Sequence, residues 1–344
     1  MLNRPVLLYT PILALVAAVL GACSSPERAK NVGSASDLTP GTLIERRGEE
    51  MMVAGQLFHV GAPVVLWTDP GGYDAYRTEY RFDPFEERKY DPERKRLLGP
   101  QRYNLRDDNL TPEQLELVRG GGWPLDLLQE QVDQFVLHYD VCGTSMRCFR
   151  VLHDIRGLSV HFMLDIDGTI YQTLDLKERA WHASQANDRS IGIEIAHIGA
   201  YPPGEKSPLD DWYTETADGS SVITLPDWMG DGGVRTPGFV GRPDRPGRIA
   251  GQLHGRTLEQ PDFTPEQYES LIKLTAALAR VFPKMKLDYP RNPDGSLRTS
   301  ALTTDEWRSF RGIVGHFHLT EGKIDPGPAM QWERLVREAR ALIE

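Results

Sequence analysis

Short apolar segments alternate with polar ones along most of the chain, and each has the length of a strand or a short helix. Apolar or period-two runs predict strands, which we place at 51–67, 135–138, 159–165, 169–174, 191–195 and 312–317. Apolar positions spaced three and four apart predict helices, which we place at 144–156, 264–281, 304–311 and 329–343. This alternation predicts an α/β fold from about residue 130 onward.

Turn and capping signals mark several of these boundaries. Thr111 and Thr264 are each followed by Pro and, three residues on, by Gln, the pattern of a capping box with Pro in the first helical turn. They predict a short helix after Thr111 and a long amphipathic helix after Thr264. Asp167-Gly168 lies between two predicted strands and indicates a hairpin.

The N-terminus has the features of a targeting segment. Arg4 precedes the apolar run Val6–Leu20, which is short for a membrane span but suits a signal-peptide core. The run ends in Gly-Ala-Cys23, which resembles the lipobox of bacterial lipoproteins. That resemblance implies removal of residues 1–22, lipid attachment at Cys23 and a place in the cell envelope, on the outer membrane facing the periplasm. A plain signal peptide and an uncleaved anchor helix are the alternatives.

The mature chain divides into three parts by composition. A polar tether covers 23–50, an N-terminal extension covers 51–130, and the main domain covers 131–344. A stretch rich in Pro, Gly and Asp, about 201–250, reads as an insertion in that domain, either walling a groove or decorating the surface. We expect the extension to pack on the main domain, with a separate small module as the alternative.

Charge and cysteine content exclude some classes of function. The chain carries 39 Lys and Arg against 49 Asp and Glu, a net charge of −10. A general nucleic-acid binder needs a basic surface, so nucleic acid is not an expected partner. The three Cys are too few for a disulfide framework and form no Cys-rich zinc motif.

Two histidines and one aspartate form the first chemical pattern. His138 ends one apolar strand and His316 ends another, and Asp325 follows nine residues later. Two His and one carboxylate with an open fourth position are typical of a catalytic zinc site. Spacing alone leaves His318 as an alternative to His316, and Glu321 as an alternative to Asp325.

Seven short motifs occur in one order across residues 132–340, interleaved with the predicted strands and helices. They read VLHY at 136–139, LSVHF at 158–162, DGTIYQ at 167–172, RAWHA at 179–183, NDRSIGIE at 187–194, GH at 315–316 and KIDPGP at 323–328. Together they resemble the zinc-dependent N-acetylmuramoyl-L-alanine amidases that share a fold with peptidoglycan recognition proteins. The resemblance implies a mixed central β-sheet flanked by helices and a peptidoglycan or muropeptide substrate.

The resemblance also implies a role for each matching residue. His138, His316 and Asp325 correspond to the Zn²⁺ ligands, and Glu194 to the catalytic base. Lys323 corresponds to a lysine that stabilises the oxyanion of the intermediate. The substrate-binding side of the groove corresponds to Trp181, His182 and Asn187.

Two further questions stay open at the level of sequence. Cys142 and Cys148 lie close together in a chain expected in an oxidising compartment, so we favour a disulfide, with two free thiols as the alternative. Zinc hydrolysis of the amide between N-acetylmuramic acid and L-alanine is the expected activity. The alternatives are a non-catalytic peptidoglycan sensor on the same fold and hydrolysis of another bond, such as a cross-link peptide bond.

Overall fold

The structure, a computed structural model, describes residues 39–91, 93, 102–217 and 219–344. The chain divides into a unit Met1–Glu45 and a larger unit Arg46–Glu344, and the features below belong to the larger one. The predicted leader, Cys23 and the first part of the tether lie outside the described residues. Among the helices of the described part, none has the length and apolar character needed to cross a membrane.

A six-stranded mixed sheet forms the centre of the larger unit, as expected from the sequence. Its strand order is β14-β5-β9-β6-β7-β3, and four two-residue to six-residue strand pairs lie around it. The strands are β1 Glu50–Val53, β2 Gln56–His59, β3 Val64–Leu66, β4 Tyr103–Asn104, β5 Gln134–Tyr139, β6 Phe162–Leu164, β7 Ile170–Gln172, β8 Arg179–Ala180, β9 Ser190–Ile195, β10 Tyr213–Glu215, β11 Ser221–Ile223, β12 Arg248–Leu253, β13 Arg256–Pro261 and β14 Gly312–Gly315.

The strands β14, β5, β9 and β6 run parallel, whereas β7 is antiparallel to β6. Parallel strands bring their carboxyl ends to one edge of a sheet, which is where α/β folds place ligands. His138 and Glu194 lie in register near the ends of β5 and β9, and His316 directly follows β14. The topology therefore gathers three of the predicted site residues at one edge.

The helices are short except for one. They are α1 Pro112–Val118, α2 Leu125–Gln131, α3 Ser145–Phe149, α4 Leu209–Trp212, α5 Pro265–Val281, α6 Thr304–Ser309, α7 His316–Leu319 and α8 Trp332–Ala341. Both predicted capping boxes form, at Thr111 and at Thr264.

Several elements differ from the sequence prediction, including the following three. The helix predicted at 144–156 is α-helical only in α3 and continues as a π-helix over Arg150–Arg156, ending at Gly157 in the left-handed region. The strand predicted at 312–317 stops at Gly315, because the His318 ring accepts a hydrogen bond from the Gly315 amide at 2.9 Å and starts α7. The hairpin of β12 and β13, at the end of the predicted insertion, was not predicted.

The two faces of the sheet bury different clusters. Alternate residues of β5 and β9, among them Phe135, Leu137, Ile191 and Ile193, pack against α5 and α8 in the larger core. The extension contributes β3 to the central sheet and buried residues such as Met51 to this same core. Because strand side chains alternate, the intervening residues of β5 and β9 point to the opposite face, which carries the site.

Candidate active site

The predicted metal ligands meet at the carboxyl edge of the sheet. His138 Nδ1 lies 3.0 Å from His316 Nδ1 and 2.9 Å from Asp325 Oδ2, and His316 Nδ1 lies 3.0 Å from the same oxygen. Among the described residues these three form one group whose ligand atoms converge. His318 and Glu321, the alternatives left by spacing, are not in that group.

The electrostatics of this cluster suit a cation. Burial, reinforced by the neighbouring His316, lowers the pKa of His138 to about 4, so its ring is held in the neutral form. Burial alone would raise the pKa of Asp325, but hydrogen bonds with His138 and His316 lower it overall, so the carboxylate stays ionised. Neutral imidazole nitrogens and an ionised carboxylate are the donor forms that metal binding requires.

His182 contacts the nitrogen of His138 that faces away from His316 and Asp325. His182 Nδ1 lies 3.0 Å from His138 Nε2, and His182 Nε2 lies 3.3 Å from Ser190 Oγ. If His138 uses Nδ1 as a ligand atom, its Nε2–H donates to His182 Nδ1, and the His182 Nε2–H in turn donates to Ser190. Partners of this kind fix the tautomer and orientation of a metal-binding ring. The sequence motifs predicted a substrate contact for His182 and gave no sign of this one.

Glu194 lies beside the cluster in a cavity of about 150 Å³ that also contains the three converging residues, Trp181, His182 and Lys323. Burial first, and then the charges of Asp325 and Asp140, raise the pKa of Glu194 well above its usual range. A carboxylate with a raised pKa is a stronger proton acceptor, which suits a general base.

The segment carrying Lys323 and Asp325 is fixed by the β12–β13 hairpin. His254, at its turn, donates from Nε2 to the Lys323 carbonyl at 3.0 Å. Gln260 is fully buried, donates to the Pro326 carbonyl at 3.1 Å and accepts from the Ala329 amide at 3.0 Å. Lys323 itself is exposed at the cavity, so its ammonium is available to a ligand there.

The remaining predicted substrate residues differ in placement. Trp181 lines the cavity, and its Nε1 donates to Asn104 Oδ1. Asn187 is buried, and its Oδ1 accepts from the His182 and Ala183 amides at 3.2 and 2.7 Å. It shapes the turn that carries His182 and lines a neighbouring cleft rather than the cavity of Glu194.

The predicted disulfide is not formed in the structure. Cys142 and Cys148 are free, buried thiols that contact each other beside Glu194. Burial raises the pKa of Cys148 well above its usual range, which favours the thiol over the thiolate that forms a disulfide. In the structure the two thiols are in contact, and the disulfide stays a prediction that mass measurement with and without reductant tests.

Two other histidines are structural. His161 accepts at Nδ1 from the Gly192 amide and donates from Nε2 to the Glu178 carbonyl, and burial with the nearby Arg106 lowers its pKa to about 3. His318 donates from Nε2 to the Arg298 carbonyl at 2.8 Å.

Gly192→Ala tests whether the position of the His182 ring against β9 is needed for activity. An added Cβ would lie closer than 3.0 Å to the ring, so the ring must leave its place against His138. We expect a loss of about 1–3 kcal/mol in stability and of roughly tenfold or more in catalytic efficiency, as for other outer partners of metal ligands. Gly122→Ala, where nothing lies within 4 Å, is the control. Equal activity of the two variants would show that the His182 position is not needed.

His197→Gln tests the cost of a buried neutral histidine. His197 donates to the Pro261 carbonyl and accepts from the Gly199 amide, and burial lowers its pKa to about 4. The unfolded chain takes up this proton near pH 6.5 and the folded chain does not, so the stabilisation is complete above pH 6.5 and is lost as the pH falls toward 4. The stability gap between wild type and variant should therefore narrow by up to about 1.4 kcal/mol for each pH unit in that window.

Urea unfolding at several pH values measures this gap. Exposed His59→Gln, measured in parallel, controls for the loss of a surface imidazole. A gap for His197→Gln that stays constant between pH 6.5 and pH 4 would contradict the assignment of a neutral, buried His197.

Sequence reasoning missed two kinds of site residue. Asp140, two residues after His138, accepts at Oδ1 from the Cys142, Gly143 and His197 amides and so ties the ends of β5 and β9 together. Its position at the end of an apolar strand was a usable signal. Arg106 gave no such signal, because its partners lie about 70 to 80 residues further along the chain.

The known proteins that resemble this chain are amidases. A family model described as N-acetylmuramoyl-L-alanine amidase matches residues 128–328. The 1,6-anhydro-N-acetylmuramyl-L-alanine amidase AmpD of Haemophilus influenzae is 24% identical over 241 residues, covering 67% of this chain and 78% of the relative.

Two solved amidase structures are similar to parts of this chain. A selenomethionine derivative of AmpD has a TM-score of 0.31 and 18% identity, covering 74% of this chain and 97% of that one. The E. coli amidase AmiD, in complex with anhydro-N-acetylmuramic acid-L-Ala-D-γ-Glu-L-Lys, has a TM-score of 0.32 and 18% identity, covering 63% and 59%. Because the family model matches more than half of the 344 residues, the chain belongs to the N-acetylmuramoyl-L-alanine amidase family.

Proposed function

We propose that this protein is a zinc-dependent amidase that cleaves the bond between N-acetylmuramic acid and L-alanine in peptidoglycan or its fragments. The family supplies the amidase activity on that bond. The observation that carries the zinc proposal is the convergence of His138, His316 and Asp325 within about 3 Å of one another, beside Glu194 and Lys323.

The residues present fit a zinc ion. Two imidazole nitrogens and one carboxylate oxygen are the ligand types of catalytic zinc sites, and three protein ligands leave a position for substrate. The three atoms point at one another, and the outer nitrogen of His138 is already paired with His182. Zinc supplies Lewis acidity here, which makes an amide carbonyl easier to attack and a water easier to deprotonate.

The chain's own groups account for the proton transfers. Glu194, with its raised pKa, takes a proton from the attacking water and delivers it to the leaving nitrogen of L-alanine. Lys323 points an ammonium at the same cavity, where it stabilises negative charge that develops on the carbonyl oxygen.

The presence of all three converging ligands together with Glu194 and Lys323 argues against the alternative of a non-catalytic peptidoglycan sensor. A binding module needs neither a convergent ligand set nor a buried acid with a raised pKa next to it, and both would cost stability without use. Purified residues 24–344 should release stem peptides from peptidoglycan and stop when a chelator removes zinc. Binding without release in the zinc-loaded protein would favour the sensor.

We also propose that Cys23 carries lipid and attaches the enzyme to the outer membrane, facing the periplasm. The apolar run followed by Gly-Ala-Cys23 supports this, and it would hold the enzyme next to peptidoglycan. Mass analysis of the mature N-terminus, with Cys23→Ser as the control, tests the anchor.

A further inference from the structure

The N-terminal extension contacts the site through a short strand, β4, and through Arg106, neither of which belongs to a sequence motif. Its short strand β4 pairs with β8, which leads directly into Trp181 and His182. Next to β4 lies Arg106, a side chain only 1% exposed. A guanidinium this deeply buried is costly unless its donors are satisfied, so its partners indicate what it is for.

All the carbonyl partners of Arg106 lie on the segment that carries His182 or just before it. Its Nη1 donates to the Asn187 carbonyl at 2.9 Å and to the Asp188 carbonyl at 2.8 Å. Nε and Nη2 donate to the Leu176 carbonyl at 3.3 and 3.2 Å. One planar side chain therefore joins the chain just before β8 to the end of the turn that leads from β8 into β9.

From Asn187 the contacts continue to the metal ligands. The Asn187 side chain accepts from the His182 amide, and the His182 ring reaches His138 Nε2 at 3.0 Å. Underneath, the His182 ring rests on Gly192, leaving no room for a Cβ there. Asn187 therefore fixes the backbone of His182, and Gly192 of β9 contacts one face of its ring.

We propose that Arg106 of the N-terminal extension is a positioning residue that holds His182 against His138 through the backbone of Asn187 and Asp188. The proposal rests on the zinc-dependent function above, since it assigns the extension a part in orienting a metal ligand. The proposal gives residues 51–130 a role besides contributing residues to the hydrophobic core. Without them, the catalytic domain would keep its metal ligands but lose the contacts that position His182.

The chain offers a matched control in Arg102. That side chain is also 1% exposed, and it donates from Nε and Nη2 to the His153 carbonyl at 3.0 and 2.8 Å. The His153 ring bonds Asp154 and the Arg77 carbonyl, and within the part of the chain that the structure describes it forms no hydrogen bond with His182 or the metal ligands. Loss of either arginine removes a buried guanidinium, but only loss of Arg106 frees the His182 turn.

The experiment compares Arg106→Lys and Arg106→Gln with Arg102→Lys and Arg102→Gln, below the melting temperature of every variant. Zinc affinity is measured by chelator competition, and amide exchange is measured on peptides covering 179–190. We expect both Arg106 variants to lose roughly tenfold or more in zinc affinity and to exchange faster at His182 and Ala183. The Arg102 variants should lose stability alone.

Equal zinc affinity and equal exchange in the Arg106 and Arg102 pairs would overturn the proposal. If Arg106→Gln does not fold, the lysine pair decides, because Lys keeps the charge but loses the planar set of donors. Amide exchange is read without zinc or substrate. A wild type that binds no zinc would therefore refute the proposed function while the exchange result still decides the role of Arg106.

Discussion

Glu194→Gln should keep the fold and the metal and lose roughly a hundredfold to ten-thousandfold in turnover, because that is the typical contribution of a positioned general base. The amide of Gln has nearly the shape of the carboxyl group but cannot accept the proton from water at neutral pH. Burial already raises the pKa of Glu194, so the site tolerates a neutral side chain there, and no loss of stability is expected.

Steady-state kinetics with a muropeptide, together with the zinc content of the purified protein, measures this. Glu321→Gln is the matched control, since that acid is exposed on the same segment as Lys323 and lies outside the converging group. Turnover near the wild-type rate in Glu194→Gln would remove Glu194 from the mechanism. Loss of zinc in that variant would instead make Glu194 part of the metal site.

His316→Ala should lose both zinc and activity. His316 Nδ1 is one of three atoms that meet within about 3 Å, and its removal leaves two ligands, fewer than catalytic zinc sites use. We expect zinc affinity to fall by roughly a hundredfold or more, beyond the effect of losing an outer partner. Removing the half-buried His316 also removes a hydrogen bond that keeps the Asp325 carboxylate ionised.

His318→Gln separates this effect from general damage. His318 is fully buried and bonds the Arg298 carbonyl and the Gly315 amide, so the variant should be less stable yet still bind zinc. If His316→Ala kept zinc and His318→Gln lost it, the assignment of His316 as the ligand would be wrong, and His318 would be the ligand.

Much of the site was predictable because the chemistry lies at the ends of strands. Apolar runs ending in His138 and His316, and an acid inside the Ile-rich run at Glu194, are visible in the sequence. Parallel pairing then places them at one edge. Asp325 was predicted by the motif, and its convergence with both histidines was confirmed.

What sequence did not predict depends on long-range contacts. Arg106 acts on a turn about 80 residues away, and a single arginine in an irregular segment has no periodicity to mark it. The β12–β13 hairpin that supports Lys323 and Asp325 begins at the end of the predicted insertion, where no turn or strand pattern was recognised. His182 illustrates the same limit, since its motif predicts that it belongs to the site but not that it contacts His138.

The most direct test is mass analysis of the products that the zinc-loaded protein forms from a defined muropeptide. Parallel samples contain chelator, and both intact and 1,6-anhydro sugars are offered. We expect one cut, with addition of water across the amide, giving a free muramic acid lactyl carboxylate and a peptide that begins with L-alanine, and no cut with chelator. Cleavage at any other bond, or full cleavage after zinc has been removed, would contradict it.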